Sequence, residues 1–174
     1  MNARMPTPEG VIRNIASTQL ILISLVIGFL INIMPWQGTF LLIRPDVYLL
    51  VLIYWSMEEP RKVGAGTAFF SGLLIDIAGG YFFGQNALVY SISAYIALQF
   101  RLRILSFNLV VQALHIFVIL FLGQAILVFE FLIMGVELPN NFYFLRSLIA
   151  MCLWPVISLI LELPRRQAVK DEIA

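Results

Sequence analysis

Histidine and cysteine each occur once in these 174 residues, and charged side chains make up only 12% of them. Each scarcity excludes something. A single thiol, Cys152, cannot close an intramolecular disulfide, and its place in an apolar run reads as a small core residue. One imidazole, His115, together with that thiol is too small a set for a metal site built from soft or imidazole ligands, so no metal or other cofactor is expected. Ser71, Ser91, Ser93 and Ser158 are available as nucleophiles, but no Ser–His arrangement with an orienting acid is supported, which argues against an enzyme. A net charge of +1 without a dense basic patch argues against nucleic acid. What the chain has in abundance is apolar side chains, 61% of the total, well above an ordinary soluble domain.

Those residues are arranged in runs near the ~20 residues that a helix needs to cross a bilayer. The pattern predicts an all-α, polytopic membrane protein of six transmembrane helices: Ile15 to Met34, Thr39 to Met57, Val63 to about Gly79, a fourth reaching Phe100, about Phe107 to Met134, and Phe142 to Leu163. Pro35-Trp36-Gln37-Gly38 ends the first, Glu58-Glu59-Pro60-Arg61-Lys62 the second, and Arg101 with Arg103 the fourth. Pro155 is expected to kink the sixth and Pro164 to end it. Residues 1–14 then form an N-terminal tail, 15–163 one membrane domain and 164–174 a C-terminal tail. The first run is a full span without a small-residue cleavage site and is expected to be retained. Arg4, Arg13, Arg61, Lys62, Arg101, Arg103, Arg165, Arg166 and Lys170 all fall on one face of this layout, which places the N- and C-termini in the cytoplasm. Trp36, Tyr54, Trp55 and Tyr81 suit interfacial belts.

Charges within the spans demand partners, because a charged side chain facing lipid costs about 2.5–3.5 kcal/mol on insertion scales. Arg44-Pro45-Asp46 interrupts the second span, and two residues so spaced on a helix face different sides. At about 1.5 Å of rise per residue, Arg44 and Asp46 lie roughly 8–11 Å below the external end, and Asp76 and Arg146 share that outer half. The expectation is an intramembrane charge network of Arg44, Asp46, Asp76 and Arg146, with Arg44–Asp76 the preferred pair. Snorkelling of the arginines to headgroups and a transported-ligand site are the alternatives. Glu130 reads as an exposed interfacial carboxylate. Small residues at Ala65, Ala68, Gly72 and Gly79, and at Ala87, Ser91 and Ala94, make flat helix faces that serve packing within the chain or a partner's helix.

The run Arg44-Pro45-Asp46 with Leu49 and Leu50, then Tyr54-Trp55, Gly72-Leu73-Leu74-Ile75-Asp76, Gly79 and Gly84-Gln85-Asn86-Ala87-Leu88 resembles the MreD family of rod shape-determining membrane proteins, over roughly Ile15 to Pro164. The resemblance implies a multi-pass protein of the bacterial inner (plasma) membrane, acting as a scaffold in the cell-elongation complex that builds side-wall peptidoglycan. Its implied partners are MreC, the MreB cytoskeleton, the RodA polymerase and a peptidoglycan transpeptidase, with the lipid bilayer as solvent. The family's fold is similar to the substrate-binding subunit of energy-coupling-factor transporters. A small-molecule (vitamin-type) binding subunit is therefore the rival reading, disfavoured by short external turns and by no evident set of convergent polar donors.

Overall fold

A computed structural model describes residues 16–35, 44–136 and 141–173. Within them the chain is all-helical: α1 (Thr18–Ile33), α2 (Val47–Glu58), α3 (Ala65–Gly79), α4 (Gln85–Leu105), α5 (Leu109–Met134) and α6 (Leu145–Ile173), the last preceded by a 3-10 turn at Asn141–Phe144. Caps foreshadowed by residue type set several ends. Ser17 and Asn108 accept from Leu20 N at 3.2 Å and Val111 N at 3.0 Å, and left-handed Gly80 and Gly135 terminate α3 and α5.

The bundle is built around α2. Its sequence has no polar stripe, and a helix apolar on every side is a buried helix. Every residue from Tyr48 to Met57 is buried, with α1, α4 and α6 packed around it. Tyr54 and Trp55 therefore belong to the core rather than to an interfacial belt; Trp55 is fully buried and donates Nε1–H to Ser24 Oγ at 2.7 Å. Ser24→Ala would strand that N–H, an orphaned buried donor worth about 1–3 kcal/mol. The expected result is a thermal midpoint several degrees lower in detergent, and Trp55→Phe should add little on top of it. Full additivity of the pair would show that this hydrogen bond is not the cause.

At the opposite end from the Arg44 segment, the charge cluster after α2 clamps the start of α1: Glu59 Oε1 accepts from Ala16 N at 2.8 Å and Lys62 Nζ donates to Ala16 O at 2.6 Å. Three sequence expectations are corrected here. Arg101 and Arg103 do not stop α4, which continues to Leu105, since long cationic side chains can extend toward water without breaking a helix. Pro164 does not end α6, which is helical through Pro155 and Pro164 to Ile173, because a proline removes one backbone bond and bends a helix without forbidding residues beyond it. Cys152 is exposed on α6 rather than a core residue.

Among the described residues, three helices are long and apolar enough to cross a membrane: Gln85–Leu105, Leu109–Met134 and Leu145–Pro164. The other three are apolar but shorter, at 16, 12 and 15 residues. At about 1.5 Å per residue, α2 is only ~18 Å long against a hydrocarbon core of ~30 Å. That shortness matters little for a helix that other helices enclose.

Candidate functional site

Asp46 is not inside a helix. Proline disfavours helical geometry in the residue before it, and an aspartate just after that proline is a natural cap. The α2 helix starts at Val47, with Asp46 Oδ1 accepting from Leu49 N at 2.9 Å. Its second oxygen, Oδ2, accepts from the hydroxyl of fully buried Tyr90 at 2.6 Å. The expectation that Arg44-Pro45-Asp46 interrupts a continuous helix is thereby corrected over the described part of that span; residues 39–43 lie outside the described residues, as does Trp36.

Just beyond this cap is a cavity of about 160 Å³, walled by residues from all six helices. Arg44, Asp46 and Arg146 line it, as do Asn32, Gln85, Asn86, Gln124 and Ser147 and the rings of Tyr81 and Tyr143. The Arg146 guanidinium sits 4.9 Å from the Tyr143 ring centroid, a cation–π contact that orients it. Ser147 Oγ donates to Gln124 Oε1 at 2.6 Å, tying α6 to α5. Of the four residues expected to form one network, Arg44, Asp46 and Arg146 thus converge on this space.

Asp76 is engaged differently. It is 1% exposed, and its carboxylate holds the start of α4: Oδ2 accepts from Gly84 N at 2.9 Å and Ala87 N at 3.4 Å, while Oδ1 accepts from Asn86 N at 2.9 Å and Asn86 Nδ2 at 2.8 Å. Gly84, at the N-cap of α4, has no side chain to cap with, so Asp76 supplies the acceptor from the neighbouring helix. The positive end of the helix dipole favours the same charge there. Among the described residues, the hydrogen-bond donors to Asp76 are thus amide groups rather than the expected Arg44.

The small-residue faces meet each other. A Cβ built on Gly72 would lie 2.6 Å from both Ala87 N and Asn86 O, so α4's backbone rests directly on α3 at this glycine. Ala68, Ala87 and Ala94 are fully buried, whereas Ala65 and Ser91 are partly exposed, with Ser91 Oγ donating to Ala87 O. Gly79 is overlaid by the Tyr81 ring. Glu130 is half-buried, with Oε2 buried and unpartnered among the described residues, rather than fully water-exposed. Among the described residues, His115 stacks on Phe107 at 5.4 Å and its Nδ1 meets Val111 O of its own helix at 2.8 Å, with no hydrogen bond across to another helix.

The convergent amides carry little signal in the sequence: Asn32 and Gln124 are single polar residues in separate apolar runs, and Gln85-Asn86 follows the turn at Gly84. Applying the cost of buried polarity to neutral amides as well as charges would have pointed them inward. Among the described residues, the cavity lining offers hydrogen-bonding groups and charge.

No solved structure matches the chain. The family model for "rod shape-determining protein MreD" matches residues 13–163. A curated relative, the rod shape-determining protein MreD of Haemophilus influenzae, is 33% identical over 146 residues, covering 82% of this chain and 88% of its own. With most of its length matched on both counts, the chain belongs to the MreD family of rod shape-determining membrane proteins.

Proposed function

We propose that this protein is a non-enzymatic scaffold of the bacterial inner membrane that controls cell shape and side-wall peptidoglycan synthesis together with MreC, and through that complex with MreB, RodA and a transpeptidase. The observation that carries the reading is the family match running from residue 13 to 163, which encloses the bundle almost end to end. In this reading all six helices cross the membrane, with both termini cytoplasmic, as the one-sided distribution of Lys and Arg supports. The short helices α1 and α3 are accommodated by local thinning of the bilayer, at modest cost per ångström. Because Gly72 and Ala87 are already in contact with one another, a partner helix packs on the outer surface, where α1 displays Leu22, Ile23, Val26, Ile27 and Leu30.

The rival, a vitamin-type binding subunit of a transporter, gains from the convergent polar groups and loses on size: 160 Å³ is about half the ~300 Å³ lower end of small-molecule pockets. Depleting the protein in a rod-shaped host separates the two. Rounding of the cells, with MreC recovered alongside the protein in mild detergent, is the expected result. Normal shape accompanied by lost vitamin uptake would reverse the ranking.

A further inference from the structure

We infer that the groove between α1 and α3 is a lipid-binding site that takes one acyl chain of a phospholipid, with the lipid's phosphate at Lys62. The packing of the two helices explains why a groove is there. Gly28 lays α1 on α2, since a Cβ built on it would lie 3.4 Å from Tyr48 Cα, and Gly72 lays α3 on α4. Each helix is thus drawn to a different neighbour, and α1 and α3 scarcely meet. What remains is a groove of about 350 Å³, with Leu22, Val26 and Phe29 of α1 on one wall, Thr67 and Leu74 of α3 on the other and Tyr48 of the central helix α2 between them.

Length and chemistry both select a lipid tail. On α1 the lining runs from Thr18 to Phe29, a rise of about 16 Å at ~1.5 Å per residue. One leaflet's share of a ~30 Å hydrocarbon core is about 15 Å, so the groove has the length of a single acyl chain. The α1 wall is apolar from Ile21 to Phe29, whereas Thr18, Lys62 and Thr67 stand together at one end. The rims are open: Leu22, Val26 and Leu74 are 57%, 55% and 46% exposed, so the groove is reached from the side, where the membrane's own tails are.

The cationic end supplies the second contact. Lys62 is half-buried, and its Nζ donates to Ala16 O at 2.6 Å; an ammonium carries three protons, so others can turn to phosphate oxygens. The carboxylate of Glu59, the nearest acid in sequence, accepts from Ala16 N. Charge-assisted bonds from an ammonium to phosphate are of the stronger kind, and basic pockets between membrane helices are where lipid headgroups bind. This arrangement, apolar along its length and cationic at one end, matches a lipid rather than a uniformly apolar helix. It requires the bundle to sit in a bilayer and is independent of any role in cell shape, so depletion of the protein and the test of the groove can fail separately.

The test uses the full chain in a maltoside detergent, which has no phosphate of its own, with native mass spectrometry following the lipid retained per chain. Phosphatidylglycerol is titrated against a galactosyl diacylglycerol with the same tails, which lacks the phosphate. Expected is saturable retention of one phosphatidylglycerol, several-fold tighter than the galactolipid. Leu74→Trp puts a bulky ring into the groove from its exposed rim and should weaken both lipids about tenfold. Ile77→Trp, on the same helix, 68% exposed and outside the lining, should change neither. Lys62→Gln should remove the preference for phosphate, and Lys62→Arg should keep it. If the glutamine variant does not fold, the comparison of the two lipids on the unaltered protein decides the headgroup contact, and equal retention of both overturns it. No saturable retention by the unaltered protein overturns the inference, as does retention that Leu74→Trp leaves unchanged. A change in oligomeric mass with Leu74→Trp, in place of lost lipid, would assign the groove to a second copy of the chain and overturn it too.

Discussion

Replacing Asp76 with alanine is expected to lower the melting temperature of the purified protein by roughly 6–20 °C, from a loss of about 3–5 kcal/mol at ~2–4 °C per kcal/mol for a chain of this size. The carboxylate receives four N–H bonds, three from the backbone of the first turn of α4 and one from the Asn86 side chain. Hydrogen bonds to charged groups are worth about 1.5–3 kcal/mol in water-exposed systems, whereas interhelical bonds in membranes average nearer 0.6. Taking about 1 kcal/mol for each of the four gives the middle of the stated range. Asp76→Asn separates charge from shape. Asparagine keeps one oxygen for Asn86 and turns an NH₂ group toward the amides of Gly84 and Ala87, so its midpoint should fall between the other two. Differential scanning fluorimetry in detergent measures all three, and an alanine variant melting within about 2 °C of the parent would show that α4 needs no acceptor from α3.

This partnership leaves no direct mark in the sequence. Asp76 stood out as a charge in an apolar span, and the rule that such charges need partners was sound. A search of the sequence for partners finds side chains of opposite sign, and Arg44 was the natural choice. Backbone amides carry no letter in a sequence; that the N-terminus of the next helix lies unfilled under a glycine is visible only once Gly84 is seen at φ 97°. The helices themselves were far more legible. Among the described residues each apolar run became one helix, although neither Arg101 and Arg103 nor Pro164 ended the helix it was expected to end. Cap residues refined the ends: Asp46 followed by an uninterrupted apolar stretch was a readable start signal, overshadowed by the assumption that a membrane span must run to full length. Length also misled on Tyr54 and Trp55, whose neighbouring charge cluster suggested an interface, although a helix with no polar face was bound for the centre. The cavity was legible least of all, since its walls come from residues as distant as Asn32 and Ser147.

Gly72→Leu should be the most damaging single change on the α3–α4 face, and it tests whether this contact and the Asp76 bonds are one device. The atoms closest to the missing Cβ are backbone atoms of Asn86 and Ala87, which cannot rotate away as a flexible side chain would. Bringing its 2.6 Å contacts to the 3.4 Å of ordinary packing requires the helices to part by about 0.8 Å even for alanine. A displacement of that size stretches a 2.9 Å bond from Gly84 N or Asn86 N beyond the ~3.5 Å at which it ceases to count as one. Gly72→Ala is thus expected to lose much of what Asp76→Ala loses, beyond ~1–3 kcal/mol of overpacking, and Gly72→Leu is expected to abolish accumulation of folded protein in the membrane. Gly66 supplies the control, because it is on the same helix with nothing within 4 Å of its would-be Cβ; Gly66→Ala should be neutral or stabilise by up to about 1 kcal/mol through helix propensity. Coupling is read from the double variant. If the glycine exists so that α4 can reach the carboxylate, Gly72→Ala combined with Asp76→Ala will destabilise by clearly less than the two changes added together. Strict additivity would mean that the close approach and the amide bonds stabilise the hairpin independently.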